Sequence, residues 1–175
     1  MLYYHVQKPP IIMDFEASGF SDQSYPIEVG YFENSAHLYC SLIKPLDHWA
    51  HWSQEAEHVH GLQRELLLKR GRPVRIVAQE LNARLSGRTV FSDGWAVDSS
   101  WCRKLFNEAR ISPTFHLSPI EMIMTEGMID IWDATKANVI EELKLQRHRA
   151  SSDARIIQAT WIRAYAQCHG VSESA

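Results

Sequence analysis

The sequence predicts a single α/β domain with a mixed central β-sheet flanked by α-helices. Three observations carry that expectation. Residues 11–43 contain three short runs of strand character, the last two alternating apolar and polar residues over part of their length. From Pro73 onward, helix-period patterns alternate with short β-branched runs, the order expected where helices pack on the faces of a sheet. The 175 residues, 45% hydrophobic and 22% charged, suit one soluble domain over 1–175 with its core at about 9–170, and are too few for two ordinary domains.

The first strand is Ile11-Ile12-Met13-Asp14-Phe15-Glu16, leading through Ala17-Ser18 into a turn at Gly19-Phe20. Side chains alternate between faces, so Asp14 and Glu16 share one face and Met13 and Phe15 the other. Pro26 to Glu33 and Ala36 to Ile43 form the second and third strands, antiparallel, with Asn34-Ser35 expected as a two-residue hairpin turn. Pro45 to His60 is a loop rich in Trp and His, with a helical turn over Ser53 to Val59, and a short helix follows from Leu62 to Lys69.

Pro73 opens a helix whose apolar stripe is Val74, Val77, Ala78, Leu81 and Leu85, with Gly87 beyond its end. Thr89-Val90-Phe91-Ser92 is a strand. Asp98 stands directly before a helix whose apolar face is Cys102, Leu105, Phe106 and Ala109. Thr114 to Leu117 is a weak strand, Pro119 to Glu126 a helix, and Asp130 to Leu145 mostly helical. The last helix takes Ser151 or Ser152 as its N-cap and shows one stripe of Ala154, Ile157, Trp161, Ala164 and Cys168.

Asp14 and Glu16, with Cα atoms roughly 6.6 Å apart on a strand, repel unless something positive lies between them. A pair of divalent cations about 4 Å apart fits that gap, although an isolated Asp-x-Glu is also what a solvated strand end looks like. The net charge of −3 is not that of a simple nucleic-acid binder. Four carboxylates around two divalent ions would nonetheless be offset by the ions' own charge, so a polyanionic substrate is compatible.

Cys40, Cys102 and Cys168 form no Cys-x-x-Cys pair, which argues against a disulfide framework or zinc knuckle and fits a reducing, cytoplasmic setting. Met1 to Val6 lacks the basic and apolar segments of a secretory signal, and no apolar run approaches membrane-spanning length. His48, His51, His58 and His60 lack a fixed ligand spacing and read as loop or substrate-side packing. Asp130 and Asp133 read as solvated or capping acids.

Asp14-Phe15-Glu16, Asp93-Gly94-Trp95-Ala96-Val97-Asp98 and His148-Arg149-Ala150-Ser151-Ser152-Asp153, with His60-Gly61-Leu62 as a weaker fourth, form an ordered set. In order and spacing they resemble the DEDDh, or DnaQ-like, 3'-5' exonucleases of the ribonuclease-H-like fold, from residue 11 to about 168. The resemblance implies that Asp14, Glu16, Asp98 and Asp153 hold two divalent ions, Mg²⁺ or Mn²⁺, and that His148 is the general base. An imidazole with an ordinary pKa of about 6.5 suits that role. Asp93 is a rival to Asp98, which is preferred because it stands directly before the helix.

By the same resemblance, Ala17 and Ser18 lie where backbone meets the terminal 3' hydroxyl, His60 joins the substrate-binding residues, and Phe20 or Trp52 stacks a base or packs in the core. Lys69, Arg70, Arg72, Arg75, Arg147 and Arg149 either follow a phosphate backbone or make solvated faces. The chain departs from the pattern at 93–98, where many relatives have His-Asn-Ala-x-Phe-Asp, and at Ala17, where many have Thr. The segment from Asp14 to Gly30 looks like the small exoribonuclease-like members. The implied activity is release of nucleoside 5'-monophosphates from the 3' end of single-stranded nucleic acid, RNA favoured over DNA, with a homodimer as the assembly expected by analogy. A DNA proofreading or repair nuclease, or a catalytically silent nucleic-acid-binding protein, is the alternative.

Overall fold

A computed structural model describes residues 8–170; the expectation for Met1 to Val6 lies outside them. A mixed five-stranded sheet runs in the order β3-β2-β1-β4-β5. β1 (Ile12–Ala17) lies at its centre, antiparallel to β2 (Pro26–Asn34) and parallel to β4 (Thr89–Ser92). β3 (His37–Leu42) closes one edge and β5 (His116–Pro119) the other. The helices are α1 (Gln54–His60), α2 (Arg64–Arg70), α3 (Val74–Leu85), α4 (Trp95–Ala109), α5 (Glu126–Asp130), α6 (Trp132–Leu143) and α7 (Ala150–His169). None among the described residues is long and apolar enough to cross a membrane.

The two-residue period of β1 sorts the core. Ile11, Met13 and Phe15 enter a cluster with Val77, Leu81 and Leu85 of α3 and Trp101, Leu105 and Phe106 of α4. Ile12 enters a second cluster with Met128 of α5 and Ala154, Ile157, Trp161 and Ala164 of α7. Helices therefore cover both faces, and the even-numbered side chains of β1 stand on the α7 face.

Several expected boundaries shift for local reasons. The β2–β3 turn is Ser35-Ala36 rather than Asn34-Ser35, because Asn34 ends the strand and its side-chain oxygen accepts from the Ala36 and His37 amides. Pro119 ends β5 instead of opening a helix: parallel pairing with Ser92 extends the strand, and only a 3₁₀ turn over Ile120–Ile123 follows. The stretch from Asp130 divides between α5 and α6, where Asp130 and Asp133 are exposed as expected.

α4 starts at Trp95, so Asp98 lies within its first turn and not before it; its amide already bonds to the Gly94 carbonyl. α7 starts at Ala150 with Arg149 in the cap position, earlier than Ser151 or Ser152. The reason is tertiary. The Ala150 amide, an unpaired donor of the first turn, is taken at 2.9 Å by the carboxylate of Glu28 on β2.

Candidate active site

β1 sets the first two acids. Asp14 pairs across the sheet with Gly30 and Glu16 with Glu28. Gly30 is required where it stands: a Cβ there would lie 2.4 Å from the Ser151 amide nitrogen and 2.7 Å from the Ala150 carbonyl carbon. Its bare backbone lets the start of α7 settle against β2, which brings residues 148–153 beside the two acids of β1.

The segment before α7 is tied down on both sides. Arg149 donates to Glu28 from Nε at 3.1 Å and from Nη2 at 2.6 Å, and the Glu28 side chain is wholly buried. Arg147 donates from Nε to Asp153 Oδ1 at 2.7 Å, and the His148 amide to Asp153 Oδ2 at 2.7 Å. His148 has a left-handed φ of 59° and is exposed. Glu16, His148 and Asp153 each offer a ligand atom within 4.8 Å of the others. The expectation that Arg149 is a phosphate tracker or a solvated face is thus corrected, since its guanidinium is committed to Glu28.

A cavity of about 200 Å³ opens over this group, lined by Asp14, Glu16, Asp93, Lys136, Arg147, His148 and Asp153 together with Phe15 and Ile157. Asp98 is not on its wall. It lies buried behind it, accepting a hydrogen bond from the Ser92 hydroxyl, and the Phe15 backbone amide also hydrogen-bonds it. Asp93, its rival, does line the cavity, where Lys136 donates to Asp93 Oδ2 at 2.5 Å. The structure therefore brings Asp14, Glu16, His148 and Asp153 to one cavity, keeps Asp98 in contact from behind, and adds Asp93 and Lys136.

Crowded carboxylates poorly reached by water hold protons tightly. Burial, then the charges of Asp98, Glu16, Asp153 and Asp93, push Asp14 well above the usual carboxylate range. Burial raises Glu16 to about 8, with Asp153, Glu28 and Asp98 adding to it and Arg149 opposing. Burial lifts Asp98 to about 7; the Ser92 hydrogen bond resists, the charge of Asp93 adds to the rise, and the Phe15 amide resists. A cluster of this kind is short of positive charge. Clustered carboxylate oxygens with one imidazole are the donor set of a hard divalent cation such as Mg²⁺ or Mn²⁺, so these residues fit such an ion.

The expected substrate residues divide. Phe20 is 88% exposed and lines a second cavity, of about 340 Å³, with Val97, Trp101 and Lys104. Ala17 packs partly against the core. Ser18 is buried and holds its own turn: its hydroxyl accepts from the Tyr25 amide and its amide donates to the Tyr25 carbonyl. Trp52 is half-buried, donates to Glu57 at 2.5 Å and meets the His60 ring edge-on. His60 is 3% exposed; its Nδ1 accepts from the Leu62 amide, while Nε2 is the buried side-chain polar atom without a partner among the described residues. Gly61 follows it at a φ of 69°, closing α1 in the left-handed conformation that glycine adopts freely.

Sequence reasoning missed Glu28 as the anchor of the 147–150 segment and Lys136 as a cavity residue. For Glu28 a signal existed, an acid within the apolar run Pro26-Ile27-Glu28-Val29. Lys136 carried none, because its helix face depends on where α6 packs.

No protein-family model matches the sequence, and no curated protein matches it. Solved structures do. Exonuclease I of E. coli in complex with a dA16 oligonucleotide superposes with a TM-score of 0.69 at 10% identity, over 92% of this chain and 41% of that one. Exonuclease I of Methylocaldum szegediense gives 0.64 at 14% identity, over 90% and 40%. S. pombe Pop2p in its Mg²⁺- and Mn²⁺-bound form gives 0.63 at 13% identity, over 95% and 86%. The chain thus spans about two fifths of the exonuclease I proteins it matches. These likenesses show the fold: a mixed five-stranded sheet flanked by helices, of the ribonuclease-H-like class.

Proposed function

We propose that the chain is a metal-dependent 3'-5' exonuclease acting on single-stranded nucleic acid. The observation that carries this is the meeting of Asp14, Glu16, His148 and Asp153 at one cavity, with Asp98 behind its wall, in a fold shared with exonuclease I. Asp14, Glu16, Asp98 and Asp153 are the residues that would hold two divalent ions. When bound, such ions lower the pKa of attached water and stabilise charge on phosphate oxygens.

The chain's own residues do the rest. His148, exposed at the cavity and carried on a fixed backbone, takes the proton of the attacking water. Asp153 accepts the His148 amide, so ligand and base stay in register. Glu28 and Arg149 hold the segment that carries the base. The turn at Ala17 and Phe20 receives the strand end, where Phe20 has a free ring face for a base; Ser18 and His60, both buried, support the substrate side without offering it an open polar atom. Trp52, turned edge-on to His60, backs that histidine.

RNA is the favoured strand on the resemblance of residues 14–30 to small exoribonucleases. DNA is the second reading, favoured by the structural likeness to exonuclease I, whose complex holds a dA16 oligonucleotide. A cytoplasmic location and a homodimer rest on the cysteine usage and on the resemblance. The test compares 3'-labelled RNA and DNA oligomers with Mg²⁺, Mn²⁺ or EDTA. Metal-dependent release of 5'-monophosphates from the 3' end is expected, and degradation that survives EDTA or starts at the 5' end would refute the reading.

A further inference from the structure

We propose that Lys136, held by Asp93, is a phosphate-contacting residue of the active-site cavity. The inference rests on the exonuclease reading above and adds to it a residue outside the acids and the histidine. It begins with placement. α6 buries Thr135 and Val139, and Lys136, next to Thr135, extends its stem along the protein to line the same cavity as Asp14, Glu16, His148 and Asp153. Its side chain is 26% exposed, and its ammonium meets Asp93 Oδ2 at 2.5 Å, where a lysine serving only solubility would reach for water.

Charge decides the role. Ionised as metal ligands, Asp14, Glu16, Asp98 and Asp153 would carry four negative charges, which two divalent ions would offset. Asp93 and Lys136 then form a neutral pair of their own. A phosphodiester entering the cavity adds negative charge, and more develops on its oxygens as the bond to the 3' oxygen breaks. Two lining residues are cationic, Lys136 and Arg147; Arg147 is bound to Asp153, one of the acids proposed to hold the ions, whereas Lys136 pairs with Asp93, which stands outside that set.

The ammonium of Lys136 has three donors, and Asp93 is its acceptor among the described residues. Donors therefore remain for non-bridging phosphate oxygens without breaking the Asp93 contact. Asp93 in turn keeps a flexible side chain aimed at the cavity, so that less conformational entropy is lost when the strand arrives.

The test sets the charge of Lys136 against the charge of the strand. Binding of fluorescent single-stranded oligomers is followed by anisotropy in Ca²⁺, for wild type, Lys136→Met, Lys136→Arg and Asp93→Asn. Each oligomer is used with ordinary linkages and with neutral methylphosphonates at the two 3'-terminal linkages. Mn²⁺ affinity is measured by calorimetry on the same proteins.

Lys136→Met, which keeps the stem, is expected to weaken binding of the ordinary oligomer roughly ten-fold. It should not weaken binding of the neutral one further, and Lys136→Arg should restore most of the affinity. Mn²⁺ affinity should be unchanged. Equal weakening on both oligomers, no weakening on either, or tighter Mn²⁺ binding as the only effect would overturn the proposal, the last making the lysine a counter-ion of the acids. Turnover by the wild type, assayed in parallel, reports on the exonuclease reading, whereas the anisotropy comparison reads Lys136 with or without turnover.

Discussion

Raising the pH from about 7 to about 8 in a chelator is expected to destabilise the fold by about 1–2 kcal/mol. The acids of the cavity bind protons more tightly folded than unfolded, Glu16 at about 8 against 4.5 and Asp98 at about 7 against 3.8, with Asp14 also raised. A raised folded pKa contributes stability that is complete below the unfolded value and is lost as the pH climbs through the folded one. Across this interval folded Glu16 still holds on average about three quarters of a proton that the unfolded chain has already lost, and each proton held in excess is worth about 1.4 kcal/mol per pH unit.

Other shifted groups stay out of that window. Glu33, Glu80 and Glu142 are lowered and act below their unfolded value of 4.5. His60 is lowered from 6.5, so it adds stability with rising pH mostly below about 7, while Cys40 and Cys102 act near 9 and above. For a chain of this size the loss corresponds to a fall in Tm of roughly 2–8 °C. Mn²⁺ competes with the same protons and binds only the folded site, so it should flatten or reverse the slope. A Tm in EDTA that is flat or rises from pH 7 to pH 8, measured by calorimetry or circular dichroism, would refute the reasoning that the acids lie protonated in a cation-poor cluster.

Three substitutions test the framework. Glu28→Ala leaves the Arg149 guanidinium and the Ala150 amide without their acceptor, and is expected to cost about 3 kcal/mol in urea unfolding; a cost below about 1 kcal/mol would mean that water substitutes for the anchor. Gly30→Ala forces the start of α7 off β2, so turnover should fall with the fold otherwise cooperative, and wild-type turnover would show that the site does not depend on that close approach. His148→Ala should lower kcat by about 10²-fold or more with Mn²⁺ affinity retained by calorimetry; lost Mn²⁺ affinity would make the imidazole a ligand.

Local pattern made much of this molecule legible. The alternation in residues 11–16 placed Asp14 and Glu16 on one face, and the structure puts Met13 and Phe15 in the opposite cluster. The stripe from Ala154 to Ala164 marked α7, which covers the acids. Boundaries set by distant partners were not legible. Asp98 was expected ahead of its helix, yet the Gly94 carbonyl starts the first turn earlier. Ser151 and Ser152 looked like caps, but a carboxylate from β2, 122 residues away, serves the first amide of α7. Lys136 belongs to the same class, since its partner Asp93 is 43 residues distant and no local spacing links them.

The left-handed backbone at His148 has a consequence for preparing the protein. A non-glycine residue there carries about 1–2 kcal/mol of strain, so a chain shaped by stability alone would put glycine between Arg147 and Arg149. His148→Gly relieves that strain while loosening the unfolded chain, two effects of similar size and opposite sign. The amide that donates to Asp153 survives the exchange, since it belongs to the backbone. The outcome is a protein about as stable as the natural one, with its acids in place and the imidazole gone: a trap able to hold a strand end long enough for it to be identified.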